Sequence, residues 1–146
     1  MAPEKVTRVS GNGRHDQGVV AEVLASGLVE LDLWLAAERP APLPVSLMVL
    51  DGVTNPANVG MVVRTATAAG LEGVVLPRAG SPDIGPLVVK ASAGVAFRAT
   101  ILGAATAAAA VESLRGAAFE VIGLRGGGES LFDATLPERE IGRAHV

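Results

Sequence analysis

The residues of this sequence best placed to do chemistry are Asn58, Gly60 and Arg64, spaced Asn-x-Gly-x-x-x-Arg inside the run Leu50–Leu76. Asn55 followed by Pro56 is a helix start, an asparagine N-cap before a proline at the first helical position, and Gly70 is a natural stop. On the helix between them, Gly60 and Arg64 lie four residues apart and share a face. Glycine costs stability inside a helix, so that face is expected to be approached closely, with a guanidinium beside it. Such an arrangement suits a phosphate or a developing oxyanion. Taken alone, the pattern leaves two readings open. A single helical arginine is more often a solvated surface residue, and Asn58 can be a second polar residue at the helix start with no role beyond capping.

These side chains need a sheet to hold them. Leu47–Leu50 reads as a buried strand, and the loop beyond it would stand at the C-terminal edge of a parallel sheet, where open α/β sheets bind ligands. Val59, Val62, Val63 and Ala66 are spaced to pack the helix on that sheet. Gly73–Leu76 is the next strand, followed by a Gly/Pro-rich loop, a short helix over Leu87–Ser92, a strand over Ala99–Leu102, an alanine-rich helix over Ala104–Leu114 and a strand over Phe119–Leu124. Upstream, Gly18–Leu24 is expected to be a short strand and Leu28–Ala37 a helix, with Pro40, Pro42 and Pro44 forming a stiff connector. Strands alternating with helices imply right-handed crossovers and a parallel sheet. The fold class is α/β, a parallel sheet with flanking helices.

Composition narrows the functions open to such a domain. The chain has 146 residues, 49% hydrophobic and 18% charged, which excludes a disordered tail and allows one domain with a real core. It has no cysteine, so neither a disulfide framework nor a thiolate metal site is possible, and no metal is expected. No signal peptide is visible over Met1–Gln17, and the longest apolar stretch, Ile101–Val111, is too short to span a bilayer. The expectation is therefore a soluble cytoplasmic protein with no membrane partner. The formal net charge of −3 does not by itself suggest a nucleic-acid binder. Residues 1–15 and 51–100 are nevertheless net positive, while 16–50 and 101–146 are net negative.

The run Asp51–Gly70, DGVTNPANVGMVVRTATAAG, resembles the first motif of the SpoU/TrmH family of RNA 2′-O-ribose methyltransferases, its Asn-x-Gly-x-x-x-Arg core being Asn58, Gly60 and Arg64. Two flanking pieces agree. His15–Ala21 is similar to the His-Gln-Gly-Val-Val-Ala run of that family with Asp16 inserted, and Lys90–Gly94 resembles its Lys-Ala-Ser-Ala-Gly segment. The resemblance implies a parallel α/β domain with a C-terminal knot, working as a homodimer that transfers a methyl group from S-adenosylmethionine to a ribose 2′-hydroxyl of rRNA or tRNA. It implies that Arg64 is the catalytic arginine and Asn58 its motif partner. Gly123 and Leu124, closing the fourth strand of this domain, are the residues left to touch the methyl donor. RNA contacts are expected from Arg64, Arg78 and Lys90.

The family's second motif, a Gly-x-Glu in a short apolar strand, is absent at its expected place; Gly128-Glu129-Ser130 comes too early, in a Gly-rich loop. The third motif needs a Ser-Leu-Asn run, and the only asparagines are Asn12, Asn55 and Asn58. The expected organisation is a linker or remnant of an upstream RNA-binding domain over residues 1–17, a connecting strand, helix and Pro-rich connector over 18–44, and a partial methyltransferase domain without its knot over 45–139. Residues 140–146 are expected to be a non-native tail, because Ile141–Val146 lacks periodicity and one back-translation of it matches a common sequencing adapter. His145 then has no ligand role. The leading reading is an inactive fragment of an S-adenosylmethionine-dependent RNA methyltransferase. The alternative is a non-catalytic RNA-binding or dimerisation module. A generic nucleotide-binding domain has no support, since no Gly-x-Gly-x-x-Gly or Walker lysine follows a strand.

Overall fold

Two runs of apolar and β-branched residues form the middle of the sheet. They are β2 (Ser46–Asp51), SLMVLD, and β3 (Gly73–Pro77), GVVLP, the latter buried along its whole length. The computed structural model describes residues 28–37, 45–124 and 140–145, with a few single positions outside them. The expected strand Gly18–Leu24, apart from the exposed and non-strand Val19 and Ala21, and the proline connector lie outside the described residues. Around β2 and β3 stand β1 (Val29–Glu30), β4 (Ile101–Ala104), β5 (Glu120–Leu124) and β6 (Glu140–His145). All pairings are parallel and the strand order is β1-β4-β3-β2-β6-β5.

Alternate residues of each strand feed two separate cores, as the two-residue period of a strand requires. Leu47 and Val49 of β2, Val75 of β3 and Leu102 of β4 face one side, where they pack with Leu31 of α1 (Leu31–Ala36) and with Ala110 and Leu114 of α4 (Ala107–Gly116). Leu50, Val74, Leu76 and Ile101 face the other, against Val59, Val63 and Ala66 of α2 (Pro56–Ala68) and Val88 of α3 (Pro86–Ala91). Helices thus cover both faces, which is the condition for a parallel sheet to be buried. The chain steps outward from β2 to β3 to β4, then returns past β2 to β5. That reversal makes a switch point beside β2, and open α/β sheets bind ligands in the crevice at the carboxyl ends of such strands.

Several boundaries differ from those read in the sequence. Val29 and Glu30, expected within a helix, pair with Leu102 and Gly103 as the edge strand β1; a two-residue strand carries no periodic signature. Ala99 and Thr100 precede β4 because the Ala99 N–H is held by the Val95 carbonyl at 2.9 Å in the preceding 3₁₀ turn (Val95–Phe97). Helix α4 starts at Ala107 because the Thr106 hydroxyl caps it, accepting from the Ala109 N–H at 3.0 Å. Residues 140–145, set apart in the sequence reading as a tail, run as β6 between β2 and β5 and pair with both. Ladder bonds are made by backbone N–H and C=O groups, so this pairing requires an extended backbone in the slot rather than particular side chains. Among the described residues no helix is long and apolar enough to cross a membrane.

The tightest joint is between α2 and α3. A Cβ added to Gly60 would lie 2.6 Å from both Ala91 Cβ and the Val88 carbonyl oxygen, and 2.9 Å from the Ser92 nitrogen. Backbone atoms cannot swing aside, so a methyl group there must part the helices. Gly116, also helical, has nothing within 4 Å of such a Cβ. Gly60→Ala is therefore expected to lower unfolding stability by about 2 kcal/mol or more, whereas Gly116→Ala should leave it unchanged or raise it by up to about 1 kcal/mol. Urea unfolding followed by circular dichroism checks both; equal effects of the two substitutions would refute the packing argument.

Candidate functional site

The helix that carries the Asn-x-Gly-x-x-x-Arg residues is built as its sequence suggests. Asn55 Oδ1 accepts from the Ala57 N–H at 2.9 Å, the Asn55 carbonyl accepts from the Val59 N–H at 3.1 Å, and Pro56 opens the first turn. At the other end Gly70 takes the left-handed conformation, φ 81°, and the Leu71 N–H closes on the Ala66 carbonyl at 3.0 Å. Val59, Gly60, Val63 and Ala66 form the buried face. The close approach expected at Gly60 is made by α3, not by a ligand, because Val88, Ala91 and Ser92 already fill that space.

Arg64 shares Gly60's side of the helix but stands one turn further on, past the end of α3, where it is exposed. There it lines an open groove of ≈ 500 Å³ with Thr67, Ala68, Val95 and Arg98. Asn58 is exposed as well, but the two are not brought together. Six residues along an α-helix separate them by about 9 Å of rise and turn them about 120° apart. The Thr67 hydroxyl is committed as a donor to the Val63 carbonyl at 2.8 Å, leaving the guanidinium groups of Arg64 and Arg98 as the groove's charged donors.

Sequence reasoning missed both Arg98 and the residue that places it. Ser92 is the one fully buried polar side chain among the described residues. Its hydroxyl donates to the Val89 carbonyl at 2.9 Å and accepts from the Ala96 N–H at 3.2 Å, tying the end of α3 to the 3₁₀ turn. Gly94, φ 81°, makes the reversal, with its N–H on the Val89 carbonyl at 2.9 Å. Arg98 closes the turn through its own N–H to the Val95 carbonyl at 2.8 Å. A small hydroxyl residue two positions before a glycine at a helix end was the available signal. Lys90 is exposed in the last turn of α3.

A second region lies at the carboxyl edge of the sheet. The turns after β2 and β3 meet there, Gly52 and Gly80 both having positive φ, and a Cβ on Gly80 would lie 3.8 Å from the Gly52 Cα. Gly123 is exposed with open space around it, and Leu124 is half-buried; in register they stand opposite Arg143 and Ala144 of β6. Arg78, just past β3, forms an ion pair with Glu30. The hydrogen bond to Glu30, and then the carboxylate's charge, raise the Arg78 proton affinity above its ordinary value, without consequence for a group that is always protonated. The pair is solvent-exposed and worth little to stability, but it partly neutralises a cation expected to meet RNA. Among the described residues no cluster of three acidic or histidine side chains could hold a metal ion.

Residues 46–142 match the model of the SpoU rRNA Methylase family. The chain is 39% identical over 114 residues to the 23S rRNA (guanosine-2′-O-)-methyltransferase RlmB of Pseudomonas putida, an overlap covering 77% of this chain and 46% of that protein. The fold resembles the crystal structure of an RNA 2′-O ribose methyltransferase, with TM-score 0.61 and 26% identity, covering 73% of this chain and 42% of the other. It also resembles the AdoMet-bound rRNA methyltransferase of Sinorhizobium meliloti, with TM-score 0.60 and 24% identity over 73% of this chain and 44% of that one. The chain spans less than half the length of the curated relatives it matches.

The Ser92 arrangement generates its own test. Ser92→Ala removes both hydrogen bonds and leaves the buried Ala96 N–H without a partner, an expected loss of about 1–3 kcal/mol. Thermal unfolding together with amide exchange at Ala96 checks it. Unchanged protection of that amide would mean the hydroxyl does not hold the turn.

Proposed function

The chain belongs to the SpoU rRNA methylase family, and on that premise we propose that it carries the RNA-facing part of a site where a methyl group passes from S-adenosylmethionine to a ribose 2′-hydroxyl of rRNA or tRNA. The observation that carries this reading is Arg64, held on a capped and closely packed helix in its family motif and facing an open groove rather than the core. S-adenosylmethionine would supply an electrophilic methyl group: its sulfur–methyl bond would break as the ribose oxygen–methyl bond forms, S-adenosylhomocysteine would leave, and the hydroxyl proton would pass to water. In-line displacement makes positioning a major requirement. Arginine stays protonated, so Arg64 is not the base. Its role is to hold a phosphate near the reacting ribose and to stabilise the developing alkoxide.

Asn58, 120° around the helix by the geometry above, serves the same site less directly, from the first turn of α2. The donor would sit against the carboxyl edge of the sheet, with Gly123 and Leu124 forming one wall; the open space at Gly123 admits a ligand there. Lys90 supplies a further RNA contact. Arg78 contributes less, because a phosphate must compete with Glu30. The complete enzyme acts as a homodimer in the cytoplasm, and donor binding calls on residues beyond those of this chain, since its second and third motifs are not among them.

Two measurements test the reading. Calorimetric titration with S-adenosylmethionine is expected to show stoichiometric binding only when the chain is extended with the corresponding C-terminal residues of the Pseudomonas relative. Binding by the unextended chain would mean that its own residues complete the pocket. In the extended protein, Arg64→Lys is expected to reduce kcat/KM for methyl transfer about a hundredfold, because a compact ammonium cannot reproduce the planar fork. Near-normal turnover would remove Arg64 from the mechanism. Salt-dependent RNA binding with no methyl transfer by the extended protein would favour a non-catalytic RNA-binding module instead.

A further inference from the structure

Arg64 does not face its groove alone. Arg98 lines the same groove, and the two arginines reach it from different elements, one from the third turn of α2 and the other from the residue closing the 3₁₀ turn. Their backbones are fixed independently, Arg64 by the packing of α2 on the sheet and Arg98 by the turn that Ser92 and Gly94 hold. Among the described residues no carboxylate pairs with either one; the ion pair there joins Arg78 to Glu30. The rest of the groove's lining is Thr67, Ala68 and Val95, which brings no acid to offset the two charges.

Two guanidinium groups beside one groove repel each other in water and are drawn together by a shared anion. Each is a planar fork of donors matched to two oxygens of a phosphate, and two forks can take the two non-bridging oxygens of one phosphodiester. The groove is open rather than closed, so a polynucleotide can enter and leave along it, and the apolar floor of Ala68 and Val95 offers no competing hydrogen bonds. We propose that Arg64 and Arg98 grip a single phosphodiester of the bound RNA between them, making Arg98 a binding residue outside the Asn-x-Gly-x-x-x-Arg motif. The proposal rests on the RNA reading given above. It also gives Arg64 a fixed orientation: with the phosphate held from both sides, the neighbouring ribose is positioned by the strand itself.

The test is fluorescence anisotropy of a labelled oligouridylate with the full chain across a salt series, using Arg64→Ala, Arg98→Ala, the double variant and Arg115→Ala. Arg115 lies in the last turn of α4 on the opposite face of the sheet and controls for loss of one positive charge. Circular dichroism and the unfolding midpoint establish that each variant is folded. Each groove substitution is expected to weaken binding about tenfold and to reduce the salt slope by about 0.7, while Arg115→Ala changes neither. The double variant is expected to lose clearly less than the product of the single losses, because the second substitution removes half of a grip already broken. A double loss equal to the product would assign the arginines to separate phosphates and overturn the clamp. Wild-type binding by Arg98→Ala alongside weakened Arg64→Ala would overturn it while leaving the RNA reading intact. Failure of the wild-type chain to bind RNA at all would remove both.

Discussion

Everything proposed for this chain depends on one close contact, the seam between α2 and α3 at Gly60. Helices usually pack with their axes 8–10 Å apart because side chains keep them there. At Gly60 nothing does, and the Val88 carbonyl, Ala91 and Ser92 come into the space a side chain would need. The glycine's cost to helix propensity is the condition for that approach. Because the helices meet so closely, the end of α3 and its following turn are drawn against the third turn of α2. Arg64 and Arg98 thereby share a groove although 34 residues separate them in sequence.

The sheet sets a second constraint. Its strands all run one way, so their carboxyl ends collect the turns at Gly52 and Gly80, and the end of β5 at Gly123 and Leu124, along one edge. Helix α2 leaves that edge and runs back down the sheet. Arg64 stands about 12 Å along it from the first turn, at 1.5 Å per residue. Within one chain the cationic groove and the carboxyl edge are therefore different places on the surface. A reaction that needs both at one oxygen must bring the carboxyl edge of further protein beside the groove.

Charge shows the same separation between bulk property and local arrangement. A formal net charge of −3 argues against nucleic-acid binding only if charge is averaged over the surface. The described structure gathers two arginines without an acid in one groove, and sets another cation, Arg78, against Glu30. The cation that looks available from its loop position is partly neutralised, and one that looked unremarkable stands in the groove. Net charge cannot make that distinction, since it is decided by which side chains tertiary packing places side by side.

Much of this was legible in the residues themselves. Asn55-Pro56 and Gly70 bounded α2 because capping chemistry is local, and the apolar runs at 47–50 and 73–76 became central strands of a parallel sheet because burial on two faces demands them, while 119–124 supplied the half-buried edge strand β5. The family motif at Asn58, Gly60 and Arg64 was readable for the same reason: its spacing lies within one helix. What the sequence left undecided depends on contacts between elements. It could not say that Gly60 receives a helix rather than a ligand, that Ser92 is a buried tie, that Val29 and Glu30 pair with β4, or that Arg98 joins Arg64. Local sequence determines caps, periods and turns, because the interacting groups are a few residues apart. Which distant side chains share a groove is fixed only when the sheet and its helices close-pack.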